Sequence, residues 1–233
     1  MKPEQTNALS LLILAGVVTF FLPSIPYGYY ILWPFVILTT FIHEMGHGLM
    51  ALAMGGSFVK LEIFSDASGL AWYRGVDDGV PTALVAAAGL LGPSTAGGFF
   101  ILAGRSSKGS SRAFLGLSIF MLLSAAIWIR STFGLVAISS MGLVFLLISR
   151  RAEQGVHQFL IQFLGVQMLA ETLGRTMEYL FMGSVNVGGE TQHSDTGAIA
   201  QAVGGPYWMW GAILAVMAVS IFVLSLRRAY RSI

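Results

Sequence analysis

Long apolar runs separated by short polar clusters set the pattern of this chain. The first run, about Asn7 to Leu22, stops at Pro23 and Pro26, residues that lack an N–H and end helices. The second, about Tyr29 to Met54, ends at Gly55-Gly56. It is apolar as far as Thr40 and then carries His43, Glu44 and His47. The period then changes. Phe58-Val59-Lys60-Leu61-Glu62-Ile63-Phe64 alternates apolar and polar positions, Ser65 to Gly69 reads as a turn, and Leu70 to Arg74 as a second strand. A period of two over such a stretch predicts a short β-hairpin, within about residues 57–80.

Helical pattern resumes from about Pro81 to Ala103, in a stretch rich in glycine and alanine, and Gly92-Pro93 in its middle predicts a kink or a local break. Further helices are expected at about Ala113–Ile129 and Thr132–Ser149. Ala152 to Met182 is helical in pattern but carries His157, Gln162, Gln167, Glu171, Arg175 and Glu178, too many polar groups to face lipid all round. Gly183 to Ser194 reads as a loop. Ser194 or Asp195 is suited to cap a short helix over Thr196–Val203, Gly204-Gly205-Pro206 breaks it, and a last apolar helix follows from about Tyr207 to Leu226.

Several of these runs approach the roughly 20 residues that cross a bilayer. Composition agrees, with 55% hydrophobic and only 10% charged residues, against about 25% charged in soluble domains. The expectation is an all-α multi-pass transmembrane protein of about six or seven membrane helices, with a short β-hairpin after the second helix. Residues 1–233 form one integral membrane domain, with the cell membrane as the expected location. The N-terminal run is read as a retained helix, because no small-x-small cleavage site follows it. The chain has no cysteine, which excludes disulfides, thiolate metal sites and cysteine nucleophiles. The net charge of +2 is spread over loops; no basic stripe suggests nucleic acid, and the lipid bilayer is the expected surround.

The chemistry concentrates in His43-Glu44-Met45-Gly46-His47. Two histidines four residues apart project from one face of a helix, so both imidazoles can reach one zinc ion. Glu44, beside the first, is placed to take a proton from a metal-activated water as general base. Ionisable groups in an apolar helix are costly unless used. A hydrolytic zinc site needs a third protein ligand and an open position. Asp66, Asp77 and Asp78 near the hairpin, His157, Glu171 and Glu178 on the polar helix, and His193 and Asp195 before the last helices are all candidates, and spacing does not choose among them. Asp195 is the lone carboxylate entering an apolar region, but could equally be a plain N-cap. Glu171, Arg175 and Glu178, at i, i+4 and i+7, suit a structural ion-pair ladder better than catalysis, and His157 suits a packed histidine.

His43-Glu44-Met45-Gly46-His47-Gly48, the glycine-led hairpin from Gly55-Gly56 to Gly69, Ala88-Gly89-Leu90-Leu91-Gly92-Pro93, and Ser194-Asp195-Thr196 with Gly205-Pro206-Tyr207-Trp208 together resemble the site-2-protease class of membrane zinc metalloproteases, specifically the M50B-like branch of the M50 peptidases. The zinc motif is the specific part. The resemblance implies a zinc-dependent intramembrane endopeptidase that holds one Zn2+ per chain on His43, His47 and Asp195, uses Glu44 as base, and cuts a transmembrane protein or peptide substrate. The chain departs from better-known site-2 proteases in lacking an Asn-Pro-rich stretch ending in Asp-Gly; its one Asp-Gly, Asp78-Gly79, comes too early. The hairpin is expected to pair with substrate as an added strand, capturable by a crosslinker at Lys60 or Leu61. The alternatives are a non-catalytic metal- or partner-binding scaffold, in which Glu44 is dispensable, and a transporter. Transporter folds often carry paired broken helices in related halves, and the sequence shows no such repeat.

Overall fold

A computed structural model describes residues 3–179, 182–187 and 190–230. The apolar runs form α1 (Pro3–Phe21), α2 (Gly28–Ala53), α3 (Val80–Ala103), α4 (Ser107–Ile127), α5 (Thr132–Arg151) and α8 (Tyr207–Ala229). The polar stretch forms α6 (Gln154–Tyr179), and α7 (Asp195–Val203) is short. Among the described residues, α2, α3, α4, α5 and α8 are long and apolar enough to cross a membrane, which makes the chain a multi-pass integral membrane protein. α1 contributes only a shorter apolar stretch, and α6 carries a buried polar side, so the two account for the larger number expected from the apolar pattern.

α3 is the hub, packing against α2, α6, α7 and α8. Small residues make this possible. A Cβ on Gly97 would stand 2.7 Å from the Gly165 carbonyl oxygen, and one on Gly46 would stand 2.4 Å from that of Ala88. Such contact distances explain the glycine and alanine content of α3, since close backbone approach is how helices pack in lipid. The expected break at Gly92-Pro93 does not occur, and α3 runs through Pro93 as one helix. The lost N–H leaves one carbonyl without its helical partner, a defect that tight helix packing tolerates. Two thirds (67%) of the apolar window of α2 is buried, against 28% for α5 and α8; α2 therefore lies inside the bundle while α5 and α8 present apolar side chains to lipid.

The hairpin expected after α2 is present as β1 (Ser57–Ile63) and β2 (Gly69–Arg74), antiparallel with Leu61 opposite Ala71. Its apolar face, Phe58, Leu61, Ile63 and Ala71, joins the main core with Phe41, Met45 and Met121. The outer edge of β1 is already paired. Leu61 donates to the Trp128 carbonyl at 2.8 Å and accepts from the Arg130 amide at 2.9 Å, and the Ser131 hydroxyl engages both the amide and the carbonyl of Ile63. A strand cannot be added at Lys60 and Leu61, because that edge belongs to the α4–α5 connection. Gly183 to Ser194, read as a loop, contains a second antiparallel hairpin, β3 (Ser184–Val187) with β4 (Glu190–His193). Ser184-Val185-Asn186-Val187 does alternate, and Gly188-Gly189 suits a hairpin turn, but each strand is only four residues long and Glu190 to His193 is polar throughout.

Candidate metal centre

His43, Glu44 and His47 are buried on α2, exposed by 5%, 7% and 9%. Their imidazoles project from one face at i and i+4, with the Nε2 atoms 3.1 Å apart. The room they occupy is created by glycine. A Cβ on Gly89 of α3 would come within 2.2 Å of His47 Nε2, and one on Gly48 would run into the Phe58 ring. α3 also orients the second imidazole. The Val85 carbonyl, 2.9 Å from His47 Nδ1, can only accept, so Nδ1 carries the proton and Nε2 presents its lone pair.

The hairpin holds the glutamate. Thr40 donates to the Ala67 carbonyl at 2.8 Å and ties the hairpin turn to α2. One turn further along α2, Glu44 Oε2 accepts the Ala71 amide at 2.8 Å. Gly69 stands where a side chain would press on the Glu44 Cγ at 2.8 Å. The other carboxylate oxygen, Oε1, is 4.0 Å from His43 Nε2, close to the histidine pair without joining it.

The third group arrives from the far end of the chain. Ser194, not Asp195, caps α7; its hydroxyl accepts the Gly197 amide at 3.2 Å. The Asp195 carboxylate is therefore released from capping and spans the histidine pair, with Oδ2 3.2 Å from His43 Nε2 and Oδ1 3.3 Å from His47 Nε2. It sits in the first turn of α7, where the helix dipole favours negative charge. Among the described residues, His43, His47 and Asp195 form the group that could hold a metal ion, their ligand atoms all within 4.8 Å of one another. The fit is good on two counts. Donors 2.0–2.1 Å from a tetrahedral ion stand about 3.4 Å apart, close to the separations here. Two buried imidazole nitrogens that face each other, one with its lone pair fixed by Val85, can share a single proton between them at most, whereas a cation satisfies both and the carboxylate together.

The other candidate ligands lie elsewhere. Asp66 accepts from the Ser68 amide and hydroxyl at 2.9 and 2.6 Å, and these bonds hold its carboxyl below the usual carboxylate range. Asp77, Asp78 and His193 are exposed. His157 donates through Nε2 to the Ile148 carbonyl at 2.6 Å, and Glu171 is within hydrogen-bond reach of Gln167 at 3.4 Å. The side chains of Arg175 and Glu178, and with them the expected ion-pair ladder, lie outside the described residues. Tyr73 escaped the sequence reading. It is on the β2 face that carries Gly69 and Ala71, and burial, followed by the negative charges of Asp195 and Glu44, pushes its phenol above the ordinary value. The signal that could have found it is the strand period itself, two residues on from Ala71.

A family model described as Peptidase M50B-like matches residues 11–225, nearly the whole of the chain. No curated protein and no solved structure matches it.

Proposed function

Because the chain belongs to the Peptidase M50B-like family, we propose that this membrane metallopeptidase is a zinc-dependent intramembrane endopeptidase, with His43, His47 and Asp195 as metal ligands and Glu44 as general base. The observation that carries this reading is the Asp195 carboxylate set across the two Nε2 atoms at 3.2 and 3.3 Å, with Glu44 beside them. Zinc bound there would polarise the scissile carbonyl and acidify an attacking water. Glu44 takes the proton of that water at Oε1 while Oε2 stays on the Ala71 amide, and it returns the proton to the leaving amine nitrogen. Val85 keeps His47 in the tautomer that leaves Nε2 free to ligate.

The substrate strand belongs on β2. In an antiparallel pair, opposed residues either exchange both bonds or turn both outward. Leu61 uses its amide and carbonyl on the far edge of β1, so its partner Ala71 turns both groups to the opposite edge, where Glu44 takes the amide. An extended peptide laid along that edge is directed at the glutamate, with β2 supplying main-chain hydrogen bonds. A crosslinker at Tyr73 is then expected to capture substrate, and one at Lys60 is not.

The test is zinc per chain in detergent-purified protein, with wild type beside His47→Ala and Asp195→Ala, together with metal-dependent cleavage of a transmembrane peptide. One zinc in wild type and none in either variant supports the three-ligand centre. Zinc retained in Asp195→Ala would move the third ligand elsewhere, and wild type that takes up no zinc on reconstitution would sink the hydrolase reading in favour of a scaffold.

A further inference from the structure

α2 and α3 cross at Gly46, Gly89 and Gly92, where a Cβ on Gly92 would lie 3.2 Å from the Ile42 carbonyl. On the other side of Gly46 from the histidine pair, α2, α3 and α4 enclose a groove of about 770 Å³. Its walls are apolar along their length, from Met50 and Leu84 at one end, past Phe120 beside Phe41, to Phe99, and the lining contains one charged residue, Arg112. Arg112, Gly116 and Phe120 follow one another at i, i+4 and i+8 along one face of α4. The glycine leaves the middle of that face bare, because a Cβ there would meet nothing within 4 Å.

Arg112 is exposed, and among the described residues no carboxylate lies within ion-pair distance of it. Arg105 and Lys108 precede it in a stretch, 104–112, that contains no acidic residue. Arg112 therefore sets one cationic group on an apolar trench. From Leu84 to Phe99 the trench runs about 22 Å at 1.5 Å per residue, longer than the roughly 15 Å hydrocarbon depth of one leaflet. A slender, flexible acyl chain can follow such a trench along its length. From this charge and shape we infer that the groove is a site for one anionic phospholipid, its acyl chain along α2, α3 and α4 and its phosphate on the Arg112 guanidinium. Neutralising a phosphate is work to which a planar, always-charged side chain is suited, and cations beside a span attract anionic lipid.

Native mass spectrometry of the full chain, purified in mild detergent and offered equal amounts of phosphatidylglycerol and phosphatidylcholine, tests this without reference to cleavage. Wild type is expected to hold one lipid, with about tenfold preference for the anionic one. Arg112→Gln should abolish the preference and Arg112→Lys should restore part of it. Gly116→Phe, which fills the trench, should reduce retention of both lipids about tenfold, whereas Leu143→Phe on the lipid-facing side of α5 should not. Equal preference in wild type and Arg112→Gln overturns the site. So does a wild type that carries a second copy of the chain, or prefers an added apolar helical peptide, in place of lipid. If Gly116→Phe fails to fold, as judged by its thermal unfolding, the arginine pair still decides the matter.

Discussion

α2 and α6 both carry polar side chains into the apolar interior, and they use them in opposite ways. On α2, His43 and His47 turn toward each other and toward the carboxylate of a distant helix, side chain facing side chain. On α6, His157, Gln158 and Gln162 go to the ends of other helices. His157 donates to Ile148 in the last turn of α5, while Gln158 and Gln162 donate to Gly104 just past the end of α3, at 3.3 and 3.0 Å. Helix ends leave carbonyls without intrahelical partners, and here buried side chains supply the donors. Gln162 also reaches the Tyr230 hydroxyl, which donates to the Ala8 carbonyl; burial pushes that phenol up to about 12, against the opposing pull of Arg105. α6 closes the bundle, and α2 gathers ligands. A buried polar residue thus reads as functional when its partners are side chains that a cation must reconcile, and as structural when they are orphan carbonyls.

The contrast breaks most sharply at Glu44. Glu44→Gln keeps an acceptor for the Ala71 amide but loses the base, so cleavage should fall by roughly 10²–10⁴-fold with zinc content unchanged; His157→Ala should leave cleavage within about twofold of wild type. Retained cleavage in Glu44→Gln would remove α2 from the functional side of the comparison.

Next come the two glycines that make room for the site. Gly89→Ala drives a methyl into the His47 ring and should empty the metal site, as measured by elemental analysis. Gly69→Ala presses on Glu44 and Thr40 instead, so it should lower cleavage about ten- to a hundredfold while zinc stays bound. If both variants lose metal equally, the hairpin positions the ligands as well as the base.

On α6, Gln162→Leu takes the donor from the Tyr230 hydroxyl oxygen and leaves Gly104 to Gln158 alone, so it should destabilise the bundle by about 1–3 kcal/mol, with zinc per chain unaltered; loss of zinc would show that α6 also shapes the site. Smaller still, Tyr73→Phe should reduce cleavage several-fold, chiefly in kcat, with metal content and thermal unfolding unchanged. The smallest effect concerns the hairpin turn. Hydrogen bonds from Ser68 depress the Asp66 carboxyl, so its contribution is complete above the unfolded value near 3.8 and is lost as pH falls through the lower folded value. Protease nicking between Ser65 and Gly69 should rise only in that acidic window, and Asp66→Ala should show the nicking at neutral pH.

The sequence by itself determined what depends on near neighbours. The apolar runs set the membrane helices, because the hydrocarbon core fixes their length and composition. The period of two set the first hairpin, and the i, i+4 spacing put His43, Glu44 and His47 on one turn. The sequence could not choose between Asp195 as a ligand and Asp195 as a plain N-cap, nor show that Ser194 would take the cap and free the aspartate. It placed strand addition on β1 because nothing local shows that Trp128 to Arg130 already occupies that edge. It also left the second hairpin as a loop, because the alternation of Ser184 to Val187 is only four residues long and Glu190 to His193 carries no apolar residue. Those outcomes were decided only by the tertiary structure. Which carboxylate meets the histidines, and which strand edge is already paired, depend on residues some 67 to 150 positions apart and on glycines that let helices touch, and distance in space is not encoded in spacing along the chain.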